Sequence, residues 1–149
     1  LKDKLVIHNP YCTVAGQTAP GDGICIRGAT FGNYGTHDTI IRYVRVRVGD
    51  ANGKTYDGMG FASTDNAIID HCSISWTIDE SVSSRGGKNI TFQRNIIAEP
   101  LNMSKHPHYV GTGKGHGFAG SIRISIVRSR PRRFFPRERI SSRPLSAFA

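Results

Sequence analysis

The pattern of apolar and polar positions repeats in three segments that superpose without gaps. They are TIIRYVRV at 39–46, AIIDHCSI at 67–74 and ITFQRNII at 90–97, with successive offsets of 28 and 23 residues. Each segment contains several β-branched or aromatic residues, which favour a strand. A repeat of roughly 20 to 50 residues built from short strands is typical of a stacked β-solenoid.

A second set of short runs alternates with these segments, and its members end at glycine or serine. They are GICIRG at 23–28, GMGFAS at 58–63 and ESVSSRGG at 80–87. No segment has a convincing helical period, and the strands lie too close together for intervening helices. An antiparallel meander is less well supported, because the hairpin-type pair Asn52-Gly53 lies inside a longer loop. We therefore predict an all-β chain that forms a right-handed parallel β-helix, with one turn of each coil free to lengthen.

The repeat pattern ends near Ile122, which divides the chain into two parts. We assign residues 1–121 to a partial parallel β-helix and residues 122–149 to an Arg/Pro-rich tail. Residues 123–149 hold eight arginines against Glu138, so most of the excess charge behind the pI of about 9.9 comes from the tail. We predict that the tail is non-native or disordered. The alternative is a patch that binds polyanions or nucleic acid.

Length and composition are those of one globular domain, with 149 residues of which 38% are hydrophobic. No apolar run approaches the ~20 residues needed to cross a bilayer. The three cysteines, Cys12, Cys25 and Cys72, have no CxxC spacing, and we predict either three buried, reduced thiols that act as small hydrophobic residues or one disulfide and a free thiol. No signal peptide is visible in the sequence, which begins with Leu1, and we expect the chain to be a fragment.

Three carboxylates are candidates for a metal site. Asp79 and Glu80 open a run of small residues, and Asp57 is expected on the neighbouring coil. If 80–87 is a strand, Glu80 shares one face with Val82 and Ser84, and Asp79 belongs to the preceding turn. Clustered acids on adjacent strands repel one another, whereas calcium is held by several carboxylate and carbonyl oxygens. The alternative is that all three are solvated turn acids or local caps.

Other polar residues give weaker indications. Asp70 and His71 are neighbours, and in a strand they would face opposite sides, so we predict a structural role for each rather than a direct dyad. Trp76 is expected either to stack on a sugar ring or to lie at the edge of a coil.

A glycine-rich segment at 105–120 holds several histidines and lysines. His106, His108 and His116 lack a carboxylate or cysteine at a spacing that completes a metal site. Lys114 is a candidate to bind an anionic substrate, and the alternative is a solvated loop. The run GTGKGHG is not a P-loop, because it lacks the four-residue gap and the hydroxyl residue after lysine.

Several motifs together resemble bacterial pectate lyases of polysaccharide lyase family one, which are right-handed parallel β-helices. They are the turn AGQTAPG, the strand IDHCSISW, the DE pair that follows it, and GKGHGFAG, and the match runs from about residue 5 to about residue 121. The resemblance implies Ca²⁺-dependent β-eliminative cleavage of polygalacturonate. It places Asp57 and Glu80, with Asp79 beside them, at the calcium site. Ser84 stands where some relatives have another acid. Arg85 and Lys114 are the candidates to bind the acidic polysaccharide.

The resemblance also implies a proton-abstracting arginine, and here the chain departs from the family. That arginine lies downstream of HGFAG, and nothing after Ile122 matches its segment, so the catalytic residue is unknown. We expect a lyase fragment truncated at both ends that lacks the catalytic base. The resemblance further implies a secreted or periplasmic monomer that binds no nucleic acid. The alternatives are a non-catalytic, calcium-dependent polysaccharide-binding β-helix and a protein that binds polyanions through its tail.

Overall fold

The computed structural model describes residues 1–101 and 103–106, and this part of the chain is all-β. It has twelve short strands and one 3-10 turn, Gly16–Thr18. The strands are β1 Leu5–Ile7, β2 Thr13–Ala15, β3 Ile24–Arg27, β4 Phe31–Tyr34, β5 His37–Arg42, β6 Val44–Arg47, β7 Met59–Ala62, β8 Asp65–Asp70, β9 Ser73–Ser75, β10 Val82–Ser83, β11 Lys88–Gln93 and β12 Ile96–Ile97. The predictions for Lys114, His108, His116 and the tail lie outside the described residues.

The strands form three parallel sheets of four strands each. The first sheet has the order β1-β4-β7-β10, the second β11-β8-β5-β2 and the third β12-β9-β6-β3. Each coil therefore contributes one strand to each sheet in turn, which is the architecture of a β-solenoid with about four turns. The predicted parallel β-helix is confirmed. Within the described residues, no helix has the length and apolar character needed to span a membrane.

The register of the coils matches the superposition predicted from the sequence. Ile40 pairs with Ile68, and Ile68 with Thr91, so the segments 39–46, 67–74 and 90–97 lie directly on one another. The offset shrinks from 28 to 23 residues because the connection between the third and the first sheet shortens. It runs over 48–58 in one coil and over 76–81 in the next. The expectation that one turn is free to lengthen is thus met at this corner.

Each predicted segment is two strands rather than one. The chain bends at Tyr43, His71 and Arg94, whose φ angles are 55°, 53° and 53°. These residues are stacked on one another, and each separates a strand of the second sheet from a strand of the third. A left-handed backbone conformation is unusual for residues other than glycine. Because no glycine marks these positions, the sequence did not indicate the bend.

The second set of predicted runs is partly wrong. Met59–Ala62 and Val82–Ser83 are neighbours in the first sheet, as their alignment suggested. Ile24–Arg27, however, pairs with Val44–Arg47 in the third sheet. The strand on the other side of Met59–Ala62 is Phe31–Tyr34, which the sequence pattern did not identify. The segment FGNY has glycine and asparagine after its phenylalanine, so its apolar pattern is weak. It nevertheless forms a strand whose phenylalanine points inward.

The core is a column of apolar side chains enclosed by the three sheets. Its largest fully buried members are Phe61, Ile41, Met59, Ile69, Ile74 and Ile78. Inward and outward positions alternate along the strands, as in Val44–Arg47, where both valines are buried and both arginines are partly exposed. The three cysteines are all free thiols, and Cys72 alone is buried. The prediction of reduced thiols is therefore confirmed, but the prediction that all three are buried is wrong, because Cys12 is half-buried and Cys25 is exposed.

Candidate metal centre

Two successive coils bring three carboxylates to the corner between the third and the first sheet. Val82 pairs with Met59, so Glu80 occupies the position directly beside Asp57. The backbone continues this register before the strands begin, because the Gly58 amide donates to the Glu80 carbonyl at 2.8 Å. Asp79 precedes Glu80 in the same corner. We call Asp57, Asp79 and Glu80 the acidic corner.

The carboxylates of the acidic corner lie close together. One oxygen from each of the three residues lies within 4.8 Å of the others, and all three side chains are half-buried. Burial raises the pKa of Asp57 to about 7, assisted by its hydrogen bond with Glu80 and by the negative charges of Glu80 and Asp79. The ionised form of Asp57 is therefore disfavoured in the absence of a cation.

This donor set suits a hard divalent cation. Calcium and magnesium prefer oxygen ligands, and calcium accepts between about six and eight of them in flexible geometry. Three carboxylates supply part of such a shell and leave positions for water or for a bound carboxylate. The potential ligands grouped here among the described residues are three carboxylates, whereas zinc favours thiol and imidazole ligands. The residues present thus fit Ca²⁺.

The sequence prediction for Glu80 was wrong in its local geometry. The strand begins at Val82, so Glu80 lies in the corner and strand alternation does not decide its direction. Val82 is fully buried, and a strand that continued back to Glu80 would have pointed that carboxylate toward the core. The corner turns Glu80 toward Asp57 instead.

Arg85 lies at the other end of β10. Its side chain is exposed, and its carbonyl accepts a hydrogen bond from the Ser63 amide at 2.9 Å. Glu80 lies two residues before β10 and Arg85 two residues after it, so the strand separates them. Arg85 is therefore not part of the acidic corner.

One row of the first sheet between the acidic corner and Arg85 has small residues on three of its four strands, and on β1 the row continues with Val6. Gly32, Gly60 and Ser83 are in register on neighbouring strands. A Cβ added to Gly32 would collide with the Gly60 carbonyl oxygen, so the two strands approach without side chains between them. We call these three residues the small-residue floor. Sequence reasoning missed it, although a glycine inside a strand, here Gly60, is a signal for the close approach of another backbone.

Asp70 and His71 contact one another, which contradicts the sequence prediction. His71 Nδ1 lies 2.9 Å from Asp70 Oδ1. The prediction assumed one continuous strand, whereas the strand ends at Asp70 and His71 has a left-handed backbone conformation that turns its side chain back. Asp70 is held by the Arg42 guanidinium rather than by backbone amides, with Nε at 2.8 Å.

Trp76 lies at the bend that follows β9 and is partly exposed. Its indole nitrogen donates to Glu99 Oε2 at 3.3 Å, and the Arg47 guanidinium lies 5.9 Å from the centre of its ring. The coil-edge alternative describes its position. Sugar stacking at Trp76 stays a prediction.

The described part of the chain is a parallel β-solenoid with a carboxylate cluster at one corner, which places it in the class of pectate-lyase-like β-helices. No protein-family model matches the chain. The chain is 41% identical over 102 residues to a probable pectate lyase C of Aspergillus flavus, covering 68% of this chain and 24% of the relative. It is 43% identical over 102 residues to a probable pectate lyase C of Emericella nidulans, with the same shares. A probable pectate lyase C of Aspergillus terreus is 37% identical over 116 residues, covering 77% of this chain and 27% of the relative.

The predicted resemblance to pectate lyases is confirmed. The chain is related to the probable pectate lyases C, and its described part is a pectate-lyase-like β-solenoid. It spans about a quarter of the length of the curated relatives it matches.

Proposed function

We propose that this chain is the calcium-binding part of a pectate lyase that cleaves polygalacturonate by β-elimination. One observation carries the proposal. Carboxylates from two successive coils converge on one corner of a solenoid whose sequence is 41% identical to a probable pectate lyase over 102 residues. The acidic polysaccharide is taken from the names of the relatives, and because polygalacturonate is extracellular we propose that the protein acts outside the cell.

The acidic corner is proposed to hold the ion. Asp57, Asp79 and Glu80 would each contribute carboxylate oxygen. Calcium, when bound, supplies positive charge that neutralises the uronate carboxylate and acidifies the proton on C5. Without the ion, the net negative charge of the acidic corner repels an anionic sugar, so the same residues disfavour substrate binding to the metal-free protein.

The neighbouring surface is proposed to admit the sugar chain. The small-residue floor is proposed to leave room for pyranose rings beside the acidic corner, because its partly exposed members, Gly60 and Ser83, are small. Arg85, beyond the far end of β10, is proposed to pair with the carboxylate of another uronate unit, because guanidinium–carboxylate pairs are directional and strong. Lys114 is proposed for the same purpose from the sequence alone.

Proton abstraction is proposed to need a group outside this chain. The resemblance assigns that step to an arginine in a segment that nothing after Ile122 matches. We therefore expect this polypeptide to bind Ca²⁺ and polygalacturonate and to show no robust turnover. The ultraviolet absorbance of the unsaturated product measures turnover directly, and strong product formation would show that the base has been misplaced.

Titration calorimetry with Ca²⁺ tests the metal site. Asp57→Asn and Glu80→Gln should each weaken calcium binding at least about tenfold, because each removes a charged ligand from the shell. Asp22→Asn, an exposed aspartate far from the corner in sequence, is the matched control and should bind like the unchanged chain. Equal calcium affinity in all four proteins would overturn the proposal.

Two alternatives remain as competing proposals. The first is a non-catalytic β-helix that holds uronate chains through calcium, which is distinguished from a lyase fragment when the parent protein binds pectate and releases no unsaturated product. The second assigns binding of polyanions or nucleic acid to the tail. Salt-sensitive binding that vanishes when 123–149 is deleted would favour the second.

A further inference from the structure

A second charged cluster lies at a different corner of the solenoid. Arg42 pairs in register with Asp70, and the next residue in each of these coils is Tyr43 or His71. Arg94 occupies the equivalent bend one coil further on, after Gln93, which pairs with Asp70. We call these five residues, Arg42, Tyr43, Asp70, His71 and Arg94, the arginine corner. It joins the second and third sheets, whereas the acidic corner joins the third and first.

Asp70 is the buried centre of the arginine corner. It is 1% exposed, and Arg42 donates to its Oδ2 from Nε at 2.8 Å. Its Oδ1 lies 2.9 Å from His71 Nδ1 and 3.7 Å from Arg94 Nη1. Burial raises the pKa of this carboxyl, but His71 and Arg42 outweigh burial and hold the pKa below its ordinary value. Asp70 is therefore an ionised carboxylate that fixes the positions of the cationic groups around it.

The corner carries more positive than negative charge. Two guanidinium groups, from Arg42 and Arg94, surround the single carboxylate of Asp70. The side chain of Arg94 is 64% exposed and that of Arg42 is 38% exposed. A guanidinium has five N–H donors, and only Nε of Arg42 is engaged with Asp70. Both arginines therefore contact Asp70 while part of each side chain is open to solvent, and guanidinium groups pair readily with carboxylates.

An aromatic surface lies next to these donors. The rings of Tyr43 and His71 are stacked, with centroids 4.6 Å apart and an angle of 8° between the planes. Tyr43 is 39% exposed, and the Arg42 guanidinium lies 5.5 Å from the centre of its ring. A rigid ring with a polar hydroxyl suits a ligand that has an apolar C–H face and polar edges. A sugar that carries a carboxylate combines these features.

We propose that the arginine corner is a second, metal-independent binding site for a uronate unit of an acidic polysaccharide. The guanidinium groups of Arg42 and Arg94 bind the carboxylate, and the Tyr43 ring contacts the sugar. The inference rests on the proposed function, because it takes the same polymer as ligand. It gives the solenoid a contact with the polymer on a wall separate from the acidic corner, and such a contact raises the effective concentration of substrate.

The test is titration of the chain with trigalacturonate in EDTA, which removes the contribution of the acidic corner. Binding is followed by calorimetry and by the NMR signals of the Arg94 and Tyr43 amides. Arg94→Gln removes one exposed donor group and should weaken binding roughly two- to fivefold. Tyr43→Leu keeps an apolar side chain but loses the ring, and should also weaken binding. Arg27→Gln, an exposed arginine of the third sheet, is the control and should have no effect.

The outcomes separate this inference from the proposed function. Binding in EDTA that falls in Arg94→Gln and survives in Glu80→Gln supports it. Trigalacturonate that binds only with Ca²⁺ overturns the second site and leaves the calcium proposal standing. Inorganic phosphate that binds as tightly as trigalacturonate overturns the assignment to a sugar. An unchanged affinity in both Arg94→Gln and Tyr43→Leu likewise overturns it, because neither residue would then contribute to binding. The amide spectrum serves as the control that each variant is folded.

Discussion

Replacing Asp57 with asparagine should make the metal-free protein more stable at neutral pH. The reason lies in the pKa of Asp57, which is raised from 3.8 to about 7 by burial, by its hydrogen bond with Glu80 and by the nearby carboxylates. Between pH ~4 and ~7 the unfolded chain releases the Asp57 proton while the folded chain keeps it. The free energy of unfolding therefore falls as the pH rises through this window.

The size of the effect follows from the pKa shift. Each unit corresponds to about 1.4 kcal/mol, so a shift of about three units sets an upper limit near 4 kcal/mol above pH 7. Asp57 is only half-buried, and solvent screening reduces the expected value to roughly 2 kcal/mol. Asparagine resembles the neutral carboxyl group and does not ionise. The free energy of unfolding of Asp57→Asn therefore does not fall over this pH range. The two proteins should be equally stable near pH 4 and differ by roughly 2 kcal/mol at pH 8.

Urea denaturation in EDTA measures the difference. Trp76 is the only tryptophan, and its fluorescence reports unfolding. Asp22→Asn serves as the control and should follow the unchanged chain at every pH. With saturating Ca²⁺ the order should reverse, because the ion stabilises the folded state of the chain that retains Asp57. Identical stabilities of the chain and of Asp57→Asn at pH 8 in EDTA would refute the electrostatic reasoning.

Further predictions test the solenoid and the arginine corner. Phe61→Ala should lower the free energy of unfolding by about 3–5 kcal/mol in urea denaturation, because Phe61 is fully buried in the core, whereas exposed Tyr11→Ala should change it little. Gly32→Ala should destabilise the first sheet because its Cβ would strike a neighbouring carbonyl, whereas Gly60→Ala meets only ordinary contacts; thermal melting compares the two. Asp70→Asn should remove a contribution to stability that is present above the ordinary aspartate pKa and lost in acid, so melting temperatures of the two proteins should converge at low pH.

The solenoid could be predicted from the sequence because the apolar residues that set the register of the coils recur at regular offsets along the chain. Ile40, Ile68 and Thr91 align in the sequence and stack in the structure. It failed at the bends. Tyr43 and His71 adopt left-handed backbone conformations that their residue types do not indicate, so the contact between His71 and Asp70 was excluded wrongly.

The candidate site was predictable in its residues and not in its geometry. The sequence has two adjacent acids and a third acid one coil away, which predicted the acidic corner. The resemblance to pectate lyases assigned these residues to calcium. Side-chain alternation could not place Glu80, because the strand that it was expected to open begins two residues later. The arginine corner was not predicted, because its members come from three segments of the sequence. They are close together only because the coils are stacked.

The two corners show how one stacking rule leads to opposite electrostatic outcomes. Neighbouring parallel strands lie about 4.8 Å apart, so equivalent residues of successive coils face each other. At the arginine corner the rule sets Arg42 beside Asp70, and opposite charges stabilise the stack. At the acidic corner it sets Asp57 beside Glu80, and the pKa of about 7 for Asp57 reflects first its burial, then its hydrogen bond with Glu80 and the repulsion between the carboxylates. A divalent cation at the acidic corner would turn that repulsion into attraction, whereas the arginine corner is stable without one and still has donors for a carboxylate ligand.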